Sequence, residues 1–259
     1  MLQKCATISI MKNLDFLIKK PIAHRGLRSA NCPENSVCAF ARALKHDLPI
    51  EFDVHLTSDG ELVVFHDWNT QRLTGEKGIV EKMTLKELRS LHLGGTKEKI
   101  PTFKEVLNLI DSKVPIVIEI KTKKIKVDKI CNEIVKNLRN YRGMFAINSF
   151  NPFVIKWFGK HQPSIVRGQN FSDFPKDWQI ASFIKKILLY LFWIINNSSQ
   201  NFFVIRVGLL PRSFPSWMAL RRKKPILIYG VGNKDEYDRI KDAVDNEFVD
   251  YLDSGSSPE

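Results

Sequence analysis

The sequence predicts an α/β chain that closes on itself as a (β/α)₈ barrel, with a small insertion after the second strand. Three observations carry this reading. The 259 residues are near the length of one such barrel. Nine short apolar runs read as strands, most of them separated by a stretch of helical spacing. One of the nine returns after a turn too short for a parallel crossover, so it is a hairpin arm and eight remain. Strands alternating with helices imply a parallel sheet, and eight of them in this length favour closure.

In order, Pro21-Ile22-Ala23 is a short strand that ends in His24-Arg25-Gly26. Pro33-Glu34-Asn35-Ser36 precedes a helix on which Val37, Phe40, Ala41 and Leu44 recur, with Asn35 as the expected cap. Ile50–Val54 is the second strand, Ser58-Asp59-Gly60 a turn and Leu62–His66 the returning arm. Residues 67–101 form the insertion. Thr84-Leu85-Lys86-Glu87 and Thr102-Phe103-Lys104-Glu105 are capping boxes. Val114–Ile120 is β-branched enough for a strand buried on both faces. A helix follows on Val127, Ile130, Cys131, Ile134, Val135 and Leu138. Phe145–Ser149 and Ser164–Gly168 are strands joined by a helix opening at Asn151-Pro152. Phe203–Arg206, Ile226–Tyr229 and Phe248–Asp250 complete the set. The chain reads as one domain, residues 1–259, with a lead-in at 11–20 and a tail at 254–259.

The chemistry concentrates in Glu51–Asp67. Glu51 and Asp53 are two residues apart on a strand, so they share a face. Adjacent carboxylates resist ionising together, and a hard cation such as Mg²⁺ or Ca²⁺ relieves them. A hairpin centred on Asp59 and Gly60 brings His66 level with Asp53. Glu119 and Lys121 share a face at the end of a later strand. A buried ion network of Glu51 and Asp53 with Arg25 and Lys121 is the alternative to a metal. His55, on the Asp53 face, reads as structural, and His46, His92 and His161 as surface residues. Glu34 suits a hydrogen-bonding role near the site better than ligation.

Net charge is +12, which favours anionic partners: phosphorylated small molecules, an acidic membrane face or nucleic acid. Aromatic residues are not interleaved with basic ones as a stacking platform, so no nucleic acid is expected. Cys5, Cys32, Cys38 and Cys131 lack CxxC spacing, which fits a reducing compartment and no zinc. No secretory signal is evident in Met1–Ile10, and Met11 is a second candidate start; a cytoplasmic protein is expected.

Together His24-Arg25-Gly26, Pro33-Glu34-Asn35-Ser36, Glu51-Phe52-Asp53-Val54, Asp59-Gly60, Val64-Phe65-His66-Asp67 and Glu119-Ile120-Lys121 resemble the glycerophosphodiester phosphodiesterase family. The resemblance runs over roughly residues 21–121. It implies a TIM barrel that hydrolyses glycerophosphodiesters to glycerol 3-phosphate and an alcohol. It implies one divalent cation, Mg²⁺ or Ca²⁺, on Glu51, Asp53 and Glu119. It makes His24 and His66 the acid/base pair, gives the phosphate to Arg25 and Lys121, and matches 67–101 to the family's insertion. The C-terminal half departs: Tyr229-Gly230-Val231-Gly232 stands where the family has Trp-Thr-Val-Asn, and its Thr-Asp-x-Pro element is not evident in Val244–Asp253. Both departures bear on the leaving-group pocket.

Two further readings stand beside this one. Residues 180–195 form an apolar stretch of about 24 Å as helix, too short to span a bilayer. It packs on the barrel or a second subunit, or it lies in a membrane interface beside Lys185, Lys186 and Arg221-Arg222-Lys223-Lys224. The interfacial option admits lysophospholipase D or phospholipase-type activity on the same site. A catalytically inactive lipid- or phosphate-binding protein would need neither His24 nor His66.

Overall fold

The structure is a computed structural model that describes residues 14–172, 199–210 and 223–250. Nine strands are present among the described residues: β1 (Ile22–His24), β2 (Ile50–Leu56), β3 (Leu62–Val64), β4 (Ile116–Ile120), β5 (Phe145–Ser149), β6 (Val166–Phe171), β7 (Phe202–Arg206), β8 (Ile226–Tyr229) and β9 (Asn246–Val249). They bond in the order β1-β9-β8-β7-β6-β5-β4-β2-β3, and a β1–β2 pairing closes the ring. Every pairing in the ring is parallel, whereas β3 lies antiparallel on β2 outside it. The sequence therefore declares the barrel correctly, including the hairpin arm.

Alternation along each strand divides the core in two. The outward residues Phe52, Val54, Ile116, Ile118, Ile120 and Ile147 pack under the helices Val37–Lys45, Phe103–Ile110, Asp128–Leu138 and Pro152–His161. Inward residues Ile22, Val117, Ala146, Val166, Phe202, Val204, Leu227 and Phe248 fill the barrel. The short helix Asp15–Ile18 plugs its N-terminal end, where Leu14, Phe16 and Leu17 join that inner cluster. Asn246 Nδ2 donates to Leu17 O and Lys20 O, both at 2.6 Å, and fixes the plug to β9.

Space inside the barrel is tight. Phe202 reaches across to β6 where residue 168 is glycine, and a Cβ there would sit 2.2 Å from the ring. Gly168→Ala is therefore expected to cost about 1–3 kcal/mol through overpacking. Urea unfolding of the variant checks this, and the added substitution Phe202→Leu should restore part of the loss.

Both expected capping boxes form, Thr84 with Glu87 and Thr102 with Glu105, and Asn151 caps the helix opened by Pro152. The first helix differs. Ser36, not Asn35, accepts from Ala39 N as its cap, and Val37 faces solvent at 39% exposure. Asn35 is released for another use, described below. Residues 67–101 build a small core against the hairpin arm, in which Val63 and Phe65 meet Val80, Leu88, Leu93 and Ile100.

The cysteine reading needs correction. Cys32 and Cys38 form a disulfide with Cα atoms 5.2 Å apart, because the turn through Pro33–Ser36 brings the chain back on itself. Cys131 is free and buried. Among the described residues no helix is long and apolar enough to cross a membrane. The stretch at 180–195, Arg221, Arg222, the alternative starts and the tail lie outside the described residues.

Candidate active site

The inward positions that are apolar low in the barrel turn polar at the strands' C-terminal ends. Ile22 is followed two residues on by His24, Val117 by Glu119, Ala146 by Asn148 and Phe248 by Asp250. Period-two alternation thus collects one polar layer at the end where barrel enzymes carry their sites.

Glu51, Asp53 and Glu119 converge. One carboxylate oxygen from each lies within 4.8 Å of the others, and all three residues are buried. The register explains this, because Asp53 stands beside Glu119 across β2 and β4. Positive groups surround them. Lys121 Nζ lies 2.5 Å from Glu119 Oε1 and 3.0 Å from Asp53 Oδ1. Arg25 Nε is 3.5 Å from Asp53 Oδ2, and its backbone N–H donates to Glu51 Oε2 at 3.1 Å. Arg25 holds that pose with φ at 59°, a strained value for a non-glycine residue. Asn35, also left-handed at φ 56°, donates from Nδ2 to Asp53 Oδ2 at 2.9 Å.

Both sequence alternatives for the carboxylates meet here, since an ion network exists and still leaves charge unmatched. Burial would raise the Asp53 carboxyl, but Lys121, His66 and Arg25 outweigh it and hold it well below the usual range. Glu51 is pushed the other way, by burial first and then by Asp53 and Glu119. Its nearest ionisable nitrogen in an ion pair is His24 Nε2, at 4.0 Å. An all-oxygen set with an uncompensated carboxylate suits a hard divalent cation, so these residues fit the ion that the resemblance implies.

Two imidazoles flank the cluster, each tied to a carboxylate. His24 Nδ1 lies 2.9 Å from Asp250 Oδ1, and Arg28 Nη2 secures the other Asp250 oxygen at 2.6 Å. His66 Nδ1 lies 2.6 Å from Asp67 Oδ1. An ionised carboxylate only accepts, so each Nδ1 carries the proton and each Nε2 is left for chemistry. Burial lowers the His66 pKa, with Lys121 and Arg25 adding to it against Asp53 and Asp67.

The hairpin register differs from expectation by one residue. Val54 pairs with Val64 and Phe65 N donates to Asp53 O, so Phe65 rather than His66 is level with Asp53. The turn centres on Asp59 alone. β3 ends at Val64, and His66 still comes close enough to Asp53 for each to shift the other's titration. His55 is fully buried, packs edge-on to Trp68 at 5.0 Å, and burial lowers its pKa to about 4.

Glu34 has the hydrogen-bonding role foreseen for it. Its Oε1 accepts from Arg25 Nη1 at 2.8 Å and from Arg72 Nη2 at 2.6 Å. Arg72 arrives from the insertion and also binds Asp67, so the insertion braces both the Arg25 loop and the His66 dyad. Burial would raise the Glu34 carboxyl, but Arg72 and Arg25 outweigh it and lower its pKa. A depressed carboxyl stabilises the fold above its unfolded value, about 4.3, and that share is lost as pH falls through the folded value. Glu34→Gln is expected to cost about 1–3 kcal/mol at neutral pH by leaving buried donors unmatched. As pH falls through that lowered folded value, the variant and the parent should converge in urea midpoint.

The sequence reading missed several neighbours. Asp250, two residues beyond the inward Phe248, meets His24. Asn170 Nδ2 donates to Glu119 Oε2 at 3.0 Å. Asn148 stands at the register position beside Glu119, and its Oδ1 meets no donor among the described residues. Each continues an inward parity already set by the strand below it. Arg28 and Arg72 carry no such signal.

A cavity of about 400 Å³ opens beside this cluster, lined by His66, Trp68, Glu119, Lys121, Thr122 and Phe150 among others.

Residues 24–246 match the model of the glycerophosphoryl diester phosphodiesterase family. A glycerophosphodiester phosphodiesterase of Caldanaerobacter subterraneus subsp. tengcongensis is 36% identical over 183 residues, covering 66% of this chain and 75% of its own. Human lysophospholipase D GDPD1 is 31% identical over 149 residues, covering 52% and 47%. A phosphodiesterase of Oleispira antarctica, solved with the product sn-glycerol-3-phosphate, superposes with a TM-score of 0.72 at 24% identity over 91% of this chain and 94% of that one. The match of family model over nearly the whole described barrel, on top of that polar layer, means that the chain belongs to the glycerophosphoryl diester phosphodiesterase family.

Proposed function

We propose that the chain hydrolyses glycerophosphodiesters to glycerol 3-phosphate and an alcohol, using His24 and His66 as its acid/base pair. The observation that carries this is the buried carboxylate cluster between two imidazoles, each oriented by its own aspartate. Glu51, Asp53 and Glu119 would hold one divalent cation, Mg²⁺ or Ca²⁺, which when bound supplies positive charge to a phosphate oxygen. Arg25 and Lys121 supply the remaining positive charge that a phosphodiester requires.

His24 Nε2 takes the proton of the attacking hydroxyl, either the substrate's glycerol 2-hydroxyl or a water. As that oxygen bonds to phosphorus, the bond from phosphorus to the alcohol breaks, and protonated His66 gives its Nε2 proton to the departing oxygen. If the 2-hydroxyl attacks, a cyclic phosphate forms and water opens it in a second step. Asp250 and Asp67 hold the two rings in register throughout, as positioning residues.

Release of glycerol 3-phosphate from a panel of glycerophosphodiesters tests this. Release should need Mg²⁺ or Ca²⁺ and stop with EDTA; no release from any substrate, or full activity in EDTA, would refute it. The resemblance to human lysophospholipase D favours a second reading, in which the same site cleaves lysophospholipids. Turnover of lysophosphatidylcholine in the same assay distinguishes it.

A further inference from the structure

The wall of the cavity bears on which alcohol leaves, a question that rests on the proposed hydrolysis. Two aromatic side chains line it, Trp68 and Phe150, and these are the faces on which a quaternary ammonium headgroup would sit. Both already have an ammonium over them. Lys123 Nζ lies 4.3 Å from the centre of the Trp68 ring, and Lys121 Nζ lies 5.8 Å from that of Phe150.

The carboxylates of the lining are committed as well. Asp67 accepts from His66 and from Arg72. Glu119 is in the carboxylate cluster, paired with Lys121 and Asn170. Just outside, Glu81 lies 3.7 Å from Lys124. A cationic headgroup would thus meet two ammonium groups, that of Lys121 already bridging Asp53 and Glu119, and no unpaired carboxylate among the described residues of the lining. An uncharged hydroxyl-bearing headgroup meets neutral hydrogen-bonding groups instead, the side chains of Asn69 and Thr122.

We infer that the leaving alcohol is an uncharged polyol rather than choline or another cationic amine, and that Lys123 on Trp68 is a specificity-determining contact. Lys123 is an exposed residue of the loop after β4, so its replacement leaves the core untouched.

The test compares kcat/KM for glycerophosphoglycerol and glycerophosphoinositol with that for glycerophosphocholine, by glycerol 3-phosphate release at saturating Mg²⁺. The polyol substrates should exceed the choline substrate at least about tenfold in the parent protein. In Lys123→Gln that ratio should fall several-fold, chiefly through a lower KM for the choline substrate, and in Lys123→Arg it should stay. Choline turnover equal to or better than polyol turnover would overturn the inference, as would a ratio unmoved by Lys123→Gln. Loss of release from all three substrates in the parent would instead remove the hydrolase reading itself.

Discussion

His24→Ala is expected to lower kcat by about two to four orders of magnitude while leaving the protein folded. The imidazole is only partly buried, at the mouth of the barrel, and the apolar interior lies below it. Its removal takes away the Nε2 lone pair that faces the carboxylate cluster and leaves Asp250 still paired with Arg28. The loss should fall on kcat more than on KM, since the proton moves in the transition state and not on binding. Asp250→Asn is the companion variant. It keeps the shape but offers Nδ1 an amide in place of a carboxylate, so the tautomer is no longer fixed, and its loss of activity should be smaller than that of His24→Ala. Near-parental activity in His24→Ala would displace this residue from the chemistry.

Lys121→Met is expected to show the largest stability change. Lys121 is 7% exposed, and its ammonium bridges Asp53 and Glu119 at 3.0 and 2.5 Å. Burial alone would lower its pKa, but those carboxylates prevail and raise it, so it is charged at neutral pH. Removing one partner of a buried ion pair leaves the other charge uncompensated, at a cost of about 3–5 kcal/mol. That cost should be greatest in EDTA. A divalent cation that binds the three carboxylates replaces part of the missing charge, so Mg²⁺ or Ca²⁺ should raise the urea midpoint of the variant more than that of the parent. No shift in either protein would argue that the carboxylates do not gather a cation. Activity should remain low even with cation, because the proposed phosphate site would lose one of its two cationic side chains.

The barrel was legible because its signals are local. β-branched runs, capping boxes and the short turn at Asp59 each follow from nearby residues, and eight parallel strands in this length leave few other arrangements. The acidic triad was legible for the same reason, as Glu51 and Asp53 share a strand face and Glu119 ends another strand. What the sequence hid depends on contacts far apart along the chain. Asp250 meets His24 across 226 positions, a separation that no local pattern reports. Asn35 resembles a helix cap, and only the packed loop shows that Ser36 takes that task while Asn35 turns to Asp53. The hairpin register slipped by one residue because a turn centred on one residue or on two reads alike in sequence. The disulfide between Cys32 and Cys38 depends on a turn whose path the spacing does not give.

The claim on which the rest stands is that Glu51, Asp53 and Glu119 together bind one divalent cation. Titration calorimetry of Mg²⁺ or Ca²⁺ into the metal-stripped protein addresses it directly, with Asp53→Asn and Glu119→Gln as comparisons. The account predicts one equivalent bound by the parent and binding weakened at least about tenfold in each variant. Unchanged affinity in both variants, or no binding by the parent, would contradict it.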